Sequence, residues 1–165
     1  PRLAEIVVAD AGPLIALGRL RRIELLAQIF AKVIVPHTVF EETQVHPDLP
    51  DARAIFAARQ SGEFIVDNSS AGSAGLPPEA ELGDGEAAAI SLAAALGHGV
   101  LIDDKHGRAV AATLNLKVIG TVGVLVLARR RGMIPVLKPL LEDLVASGYH
   151  LSEALVQEAL RQVGE

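Results

Sequence analysis

Ile6-Val7-Val8-Ala9-Asp10-Ala11-Gly12-Pro13-Leu14-Ile15 is the stretch on which the fold turns. Its first four residues are a short, mostly β-branched apolar run, too brief for a helix. The run ends on a carboxylate, and an apolar pattern of helical period follows. The same switch recurs along the chain. Strand-like runs are expected at Ile6 to Ala9, Lys32 to Val35, Phe64 to Val66, Val100 to Ile102 and Lys117 to Ile119. Between them lie helical patterns at Pro13 to Phe30 (broken near Gly18), Thr38 to Val45, Asp51 to Ser61, Glu86 to Leu96, Lys105 to Leu114 and Thr121 to Arg131. Such β-α alternation predicts an α/β fold with a central parallel sheet of about five strands covered by helices. Two further helical patterns, Lys138 to Ser147 and Ser152 to Val163, have no strand between them and read as a tail that packs on the domain or on a partner. Asn68 to Gly83, rich in Ser, Gly and Pro, reads as a surface loop.

Composition agrees with one domain of this kind. The chain has 165 residues, 50% of them hydrophobic, enough for a single core. Aromatics are only 3%, which suits aliphatic helices on a parallel sheet better than an aromatic-rich sandwich. Cysteine is absent, so disulfides and thiolate metal sites are excluded, and any metal must be held by oxygen or imidazole. The longest apolar stretch, Val118 to Ala128, is too short to span a bilayer and runs into Arg129, Arg130 and Arg131. No secretion signal opens the sequence, and a cytoplasmic location is the expectation. A formal net charge of -5 argues against nucleic-acid binding through the whole-molecule field, but not against a local basic rim.

The chemistry resides in acids delivered to one edge. Asp10 follows the first strand and Asp103-Asp104 follows the fourth, at the C-terminal edge where open α/β sheets bind ligands. Glu86 opens the Ala-rich helix after Gly83-Asp84-Gly85, with Ala89, Ile90 and Ala93 marking its buried face. The fourth candidate is Glu42, or its neighbour Glu41, on the helix that Pro36 announces. Taken singly, each has an ordinary reading: Asp10 or Asp104 as an N-cap, Glu86 as a first-turn acid, Glu41 and Glu42 as a solvated face. Taken together, three elements place acids at one edge. Two like charges about 4 Å apart repel by roughly 4 kcal/mol at an effective dielectric near 20. Proton uptake or divalent cations must offset that, and an oxygen-only set favours Mg2+ or Mn2+ over zinc. One such cation activates a water and a second stabilises a leaving oxygen, so phosphodiester hydrolysis is the expected reaction.

Four segments in order, Val8-Ala9-Asp10-Ala11-Gly12-Pro13-Leu14-Ile15-Ala16-Leu17, Val35-Pro36-His37-Thr38-Val39-Phe40-Glu41-Glu42, Gly83-Asp84-Gly85-Glu86-Ala87 and Leu101-Ile102-Asp103-Asp104-Lys105-His106-Gly107-Arg108, resemble those of PIN-domain nucleases, including VapC-type toxins of toxin-antitoxin pairs. The similarity runs from about Leu3 to Arg131, and the tail from Gly132-Met133-Ile134 resembles one PIN-like branch of unassigned function. The resemblance implies a three-layer α/β/α domain over residues 1–131 with a helical C-terminal extension over 132–165. It further implies a metal-dependent endoribonuclease in which Asp10, Glu42, Glu86 and Asp104 match the acidic quartet and Asp103 is an additional or alternative ligand. Products with a 5′-phosphate and a 3′-hydroxyl, RNA as substrate, an antitoxin partner and a homodimer follow from the same resemblance. Two departures stand out. Ala11, Gly12 and Ile102 occupy places where many members carry a hydroxyl, and the third acid is Glu86 rather than the Asp common in the toxins. A catalytically weak PIN-like module that binds RNA or protein is therefore the alternative. A phosphoacceptor receiver domain is disfavoured, because its Asp pair would follow the first strand.

Beside the acids, Lys105 and Arg108 are candidate phosphate contacts and equally ordinary helix charges. Arg129 to Arg131 suit a helix C-terminus, and Arg19, Arg21 and Arg22 form a second basic cluster. The five histidines lack zinc spacing, and only His106, two residues past Asp104, lies near the acids in sequence.

Overall fold

The structure is a computed structural model, and it describes residues 3–69 and 73–165. Its elements in chain order are β1 (Leu3–Ala9), α1 (Ala11–Arg19), α2 (Glu24–Ile29), β2 (Phe30–Pro36), α3 (His37–Thr43), α4 (Pro50–Gln60) and β3 (Ile65–Asp67). There follow α5 (Asp84–Leu96), β4 (Gly99–Leu101), α6 (Lys105–Thr113), β5 (Val118–Ile119), α7 (Thr121–Arg130), α8 (Lys138–Ala146) and α9 (Glu153–Val163). All strand pairs are parallel, in the order β3-β2-β1-β4-β5. Consecutive residues Val7, Val8 and Ala9 are buried, as are Val33, Ile34 and Val35. Successive side chains of a strand point to opposite faces, so helices must cover the sheet on both sides, giving three α/β/α layers.

The predicted elements are present with shifted ends. Phe30 opens β2 rather than closing a helix: its amide bonds to Leu26 O, so one residue both caps α2 and starts the strand, with no loop between. β5 shortens to two residues, and Ile102 falls just beyond β4 although its amide still bonds to Ile119 O at 3.0 Å. Of the expected loop, residues 70–72 lie outside the described residues. The described remainder is less purely a surface feature than its composition suggests, since Leu76, Ala80 and Leu82 pack against the core.

The C-terminal helices share that core. Ile134, Leu137, Leu141, Ala159 and Leu160 belong to the same buried cluster as the sheet residues. Polar contacts fix the arrangement: Glu165 accepts hydrogen bonds from the amides of Leu137 and Lys138 and pairs with Arg129 Nε at 2.8 Å. A carboxylate at the start of α8 also meets the positive end of that helix dipole. Arg130 donates to Gln162 O, so the end of α7 is tied to α9.

Candidate active site

Strand order decides what meets at the C-terminal edge. β1 is central, flanked by β2 and β4, so the chain leaves the sheet in opposite directions on either side of it, and the crevice for a ligand lies at its end. Asp10 stands there, 6% exposed, its amide bonded to Leu101 O at 2.9 Å. It is the N-cap residue of α1, yet its side chain makes no capping bond to α1. Burial drives its carboxyl pKa up to about 7, and the charges of Glu86, Glu42 and Asp103 push the same way, against an opposing amide at Ala11. These couplings bring the strand-end and helix-start acids into one electrostatic unit.

Each partner is delivered differently. Glu86, partly buried in the first turn of α5, has its pKa raised by burial and by Asp104, partly offset by the Gly83 amide and His106. Both neighbouring acids on α3 are exposed, but Glu42 is the one that reaches α5, accepting the Gly85 amide at 3.0 Å, while Glu41 pairs with His37. Burial and the charges of Asp84 and Glu86 raise the Glu42 pKa as well. The two members of the Asp pair separate. Asp104 caps α6 by accepting the Gly107 amide at 2.8 Å, whereas Asp103 turns to α7 and the tail. There its Oδ1 accepts the Thr121 amide at 2.7 Å, its Oδ2 accepts Thr121 Oγ1 at 2.5 Å, and Tyr149 Oη donates to the same Oδ2.

Thr121 and Tyr149 were not among the residues singled out in the sequence. The available signals were slight: a hydroxyl residue opening a helix at the acidic edge, and the chain's single tyrosine set in Gly148-Tyr149-His150. Lys105 and Arg108 line a cleft of about 710 Å³ between α6, α7 and the C-terminal segment, with Asp103 and Tyr149 also in its lining. Arg108 is partly engaged already, its Nη1 donating to Ile102 O at 3.1 Å. The second basic cluster is likewise occupied in structure, as Arg19 donates to Ser147 O and Arg22 faces Glu24.

The donor set is all oxygen and crowded with like charge, which fits a hard divalent cation. Among the described residues, however, no three acidic or histidine side chains already form a ready-made cage. Uncompensated carboxylates instead take nearby donors: Glu42 the Gly85 amide, Asp104 the Gly107 amide, and Asp103 the Thr121 and Tyr149 groups.

Gly85 is the hinge of this arrangement. A Cβ built on it would overlap the Glu42 carboxylate, the movable end of a flexible side chain. Gly85→Ala is therefore expected to leave the melting temperature nearly unchanged while turning Glu42 away from the cluster. A thermal melt tests this: a large drop in stability would show that the Glu42 carboxylate cannot move aside.

A family profile described as PIN domain matches residues 6–165, nearly the whole chain and including the C-terminal helices. This chain belongs to the PIN-domain family. PIN domains are generally nucleases and typically use divalent metal ions. Comparison with curated proteins and with solved structures gives no match. Among the described residues, no helix is long and apolar enough to cross a membrane.

Proposed function

We propose that this protein is a divalent-cation-dependent endoribonuclease and the toxin-like member of a toxin-antitoxin pair. Its acidic edge would be built from Asp10, Glu42, Glu86, Asp103 and Asp104. The observation that carries the reading is Asp10: a carboxyl fixed at the end of the central strand, with a pKa near 7 and three other acids acting on it. Burial is the main cause of that rise and the acids add to it, and a site built only for stability would not bury a carboxyl beside other acids. Asp10, Glu86, Asp103 and Asp104 are the residues that would hold Mg2+ or Mn2+, with Glu42 completing the quartet with Asp10, Glu86 and Asp104. The bound cations would neutralise the carboxylates and make a nearby water acidic enough to attack phosphorus. Lys105 and Arg108, which line the adjoining cleft, would meet phosphate oxygens of an RNA strand. A partner that restrains the enzyme would lie across the same edge. Val45, Leu49 and Phe56, all largely exposed around the start of α4, offer apolar surface for self-association.

Purified protein is expected to cut single-stranded RNA with Mg2+ or Mn2+, leaving 5′-phosphate and 3′-hydroxyl ends, and to stop when EDTA is added. RNA left intact with either metal would reject the reading. The engagement of Glu42, Asp103 and Asp104 by protein donors favours a second one, a PIN-like module that binds RNA or protein without turnover. In that case calorimetry would record no metal binding, and Asp10→Asn or Asp104→Asn would change nothing that the module does.

A further inference from the structure

Tyr149 lies just past α8, 46 residues along the chain from Asp103, yet its hydroxyl donates to Asp103 Oδ2. Thr121 Oγ1 donates to the same oxygen, and the Thr121 amide holds the other. Asp103 is therefore clamped by donors from two elements outside its own strand. The phenol oxygen also fills space beside α1. A Cβ built on Gly12 would lie 3.4 Å from Tyr149 Oη and 3.8 Å from Asp103 Oδ2. Gly12 is two residues past Asp10, so the hydroxyl lies between half-buried Asp103, just past β4, and the first turn of α1, which follows buried Asp10. Burial and the Asp103 charge push the phenol pKa further up, which keeps it a hydrogen-bond donor.

We propose that Tyr149 is a positioning residue of the acidic site: the C-terminal segment supplies a hydroxyl that fixes the orientation of Asp103, so the site is completed by residues beyond Arg131. This rests on the reading of that edge as a cation-assisted nuclease site. A hydroxyl that orients a ligand acts on cation affinity and on turnover, and it does so without touching substrate. Removing it frees Asp103 Oδ2 from one of two hydroxyl donors and lets the carboxylate rotate. Gly12 offers a compensating position, because a serine there would place its own hydroxyl in the volume the phenol oxygen vacates.

The test uses the full chain. Mn2+ binding is titrated by the loss of the free-ion paramagnetic resonance signal, and RNA cleavage is resolved into kcat and KM. Tyr149→Phe is expected to weaken Mn2+ binding about tenfold or more. Its kcat should fall comparably while KM stays put. Adding Gly12→Ser to Tyr149→Phe should recover a good part of both losses, and adding Gly12→Ala should recover neither. If Tyr149→Phe matches a wild type that does bind Mn2+, the inference is wrong. If the wild type itself binds no Mn2+, the nuclease reading falls and takes this inference with it, a result that the wild-type titration alone distinguishes. Should Tyr149→Phe fail to fold, the Gly12→Ser double variant decides: folding with Mn2+ binding supports the role, and failure to bind overturns it.

Discussion

Metal-free Asp10→Asn protein is expected to melt well above the wild type at pH 8, and with Mg2+ or Mn2+ supplied it should cleave RNA on the order of a hundredfold more slowly, the usual scale of loss when a group at the reacting centre is removed. In the unfolded chain this carboxyl gives up its proton near 3.8, whereas in the fold burial and the neighbouring acids hold the proton to about 7. Between those values the native state carries one more proton than the unfolded state, so stability falls as pH rises through that window and levels off above it. The gap corresponds to roughly 4 kcal/mol, an order-of-magnitude figure for a group this deeply buried. Asparagine keeps the shape of the side chain and carries no charge, so it escapes the penalty. Thermal melts at pH 5 and pH 8 in EDTA are the measurement: the wild type should lose stability between them, and the variant much less. An equal loss in both proteins would show that another group titrates. Added Mg2+ should restore the wild type at pH 8 and do little for the variant, since only a charged carboxylate gains from a cation.

Leu141→Ala should destabilise the protein by roughly 2–5 kcal/mol, the range for emptying a leucine site in a packed core. Leu141 lies on α8 and is 1% exposed, within the same cluster that holds the sheet. Were the segment after Arg131 a loosely attached appendage, the same change would cost a few tenths of a kcal/mol and the main unfolding transition would not move. Denaturant melts of the full chain separate these outcomes through the midpoint at constant slope. Because Tyr149 follows α8 directly, the variant should also lose Mn2+ affinity when assayed near its transition, which couples core packing to the acidic edge.

The alternation of strand and helix was legible because each apolar run is bounded by an acid, a proline or a glycine. The α2-β2 junction was not, because Phe30 belongs to both elements and apolar spacing cannot divide one residue between two periods. The acids were readable as a set through their positions at strand ends and helix starts. Which of Glu41 and Glu42 reaches α5 depends on how α3 is rotated, fixed by the burial of Val39, Phe40 and Thr43 and by the Gly85 amide 43 residues from Glu42. In sequence the resemblance sets Asp104 in the quartet and Asp103 beside it as an additional or alternative ligand; in the fold they part company because Asp104 sits where its side chain reaches the open amide of α6. Tyr149 was beyond local reading: nothing near it in the chain signals a carboxylate, and only the fold of the tail brings it to one.

The placement of β1 between β2 and β4 has a kinetic corollary. β1 and β2 pair over a short stretch of chain, with Val7 beside Val33, while the other flank waits for Val100 to arrive beside Val8. Long-range closure of that kind is slow, since the entropy of a large loop is lost before any contact rewards it. A ribosome that has not yet released the segment from Gly99 to Asp104 therefore carries a nascent chain with half a sheet and no completed acidic crevice. The acidic edge would therefore assemble only after β4 has paired with β1 and the tail that carries Tyr149 has followed.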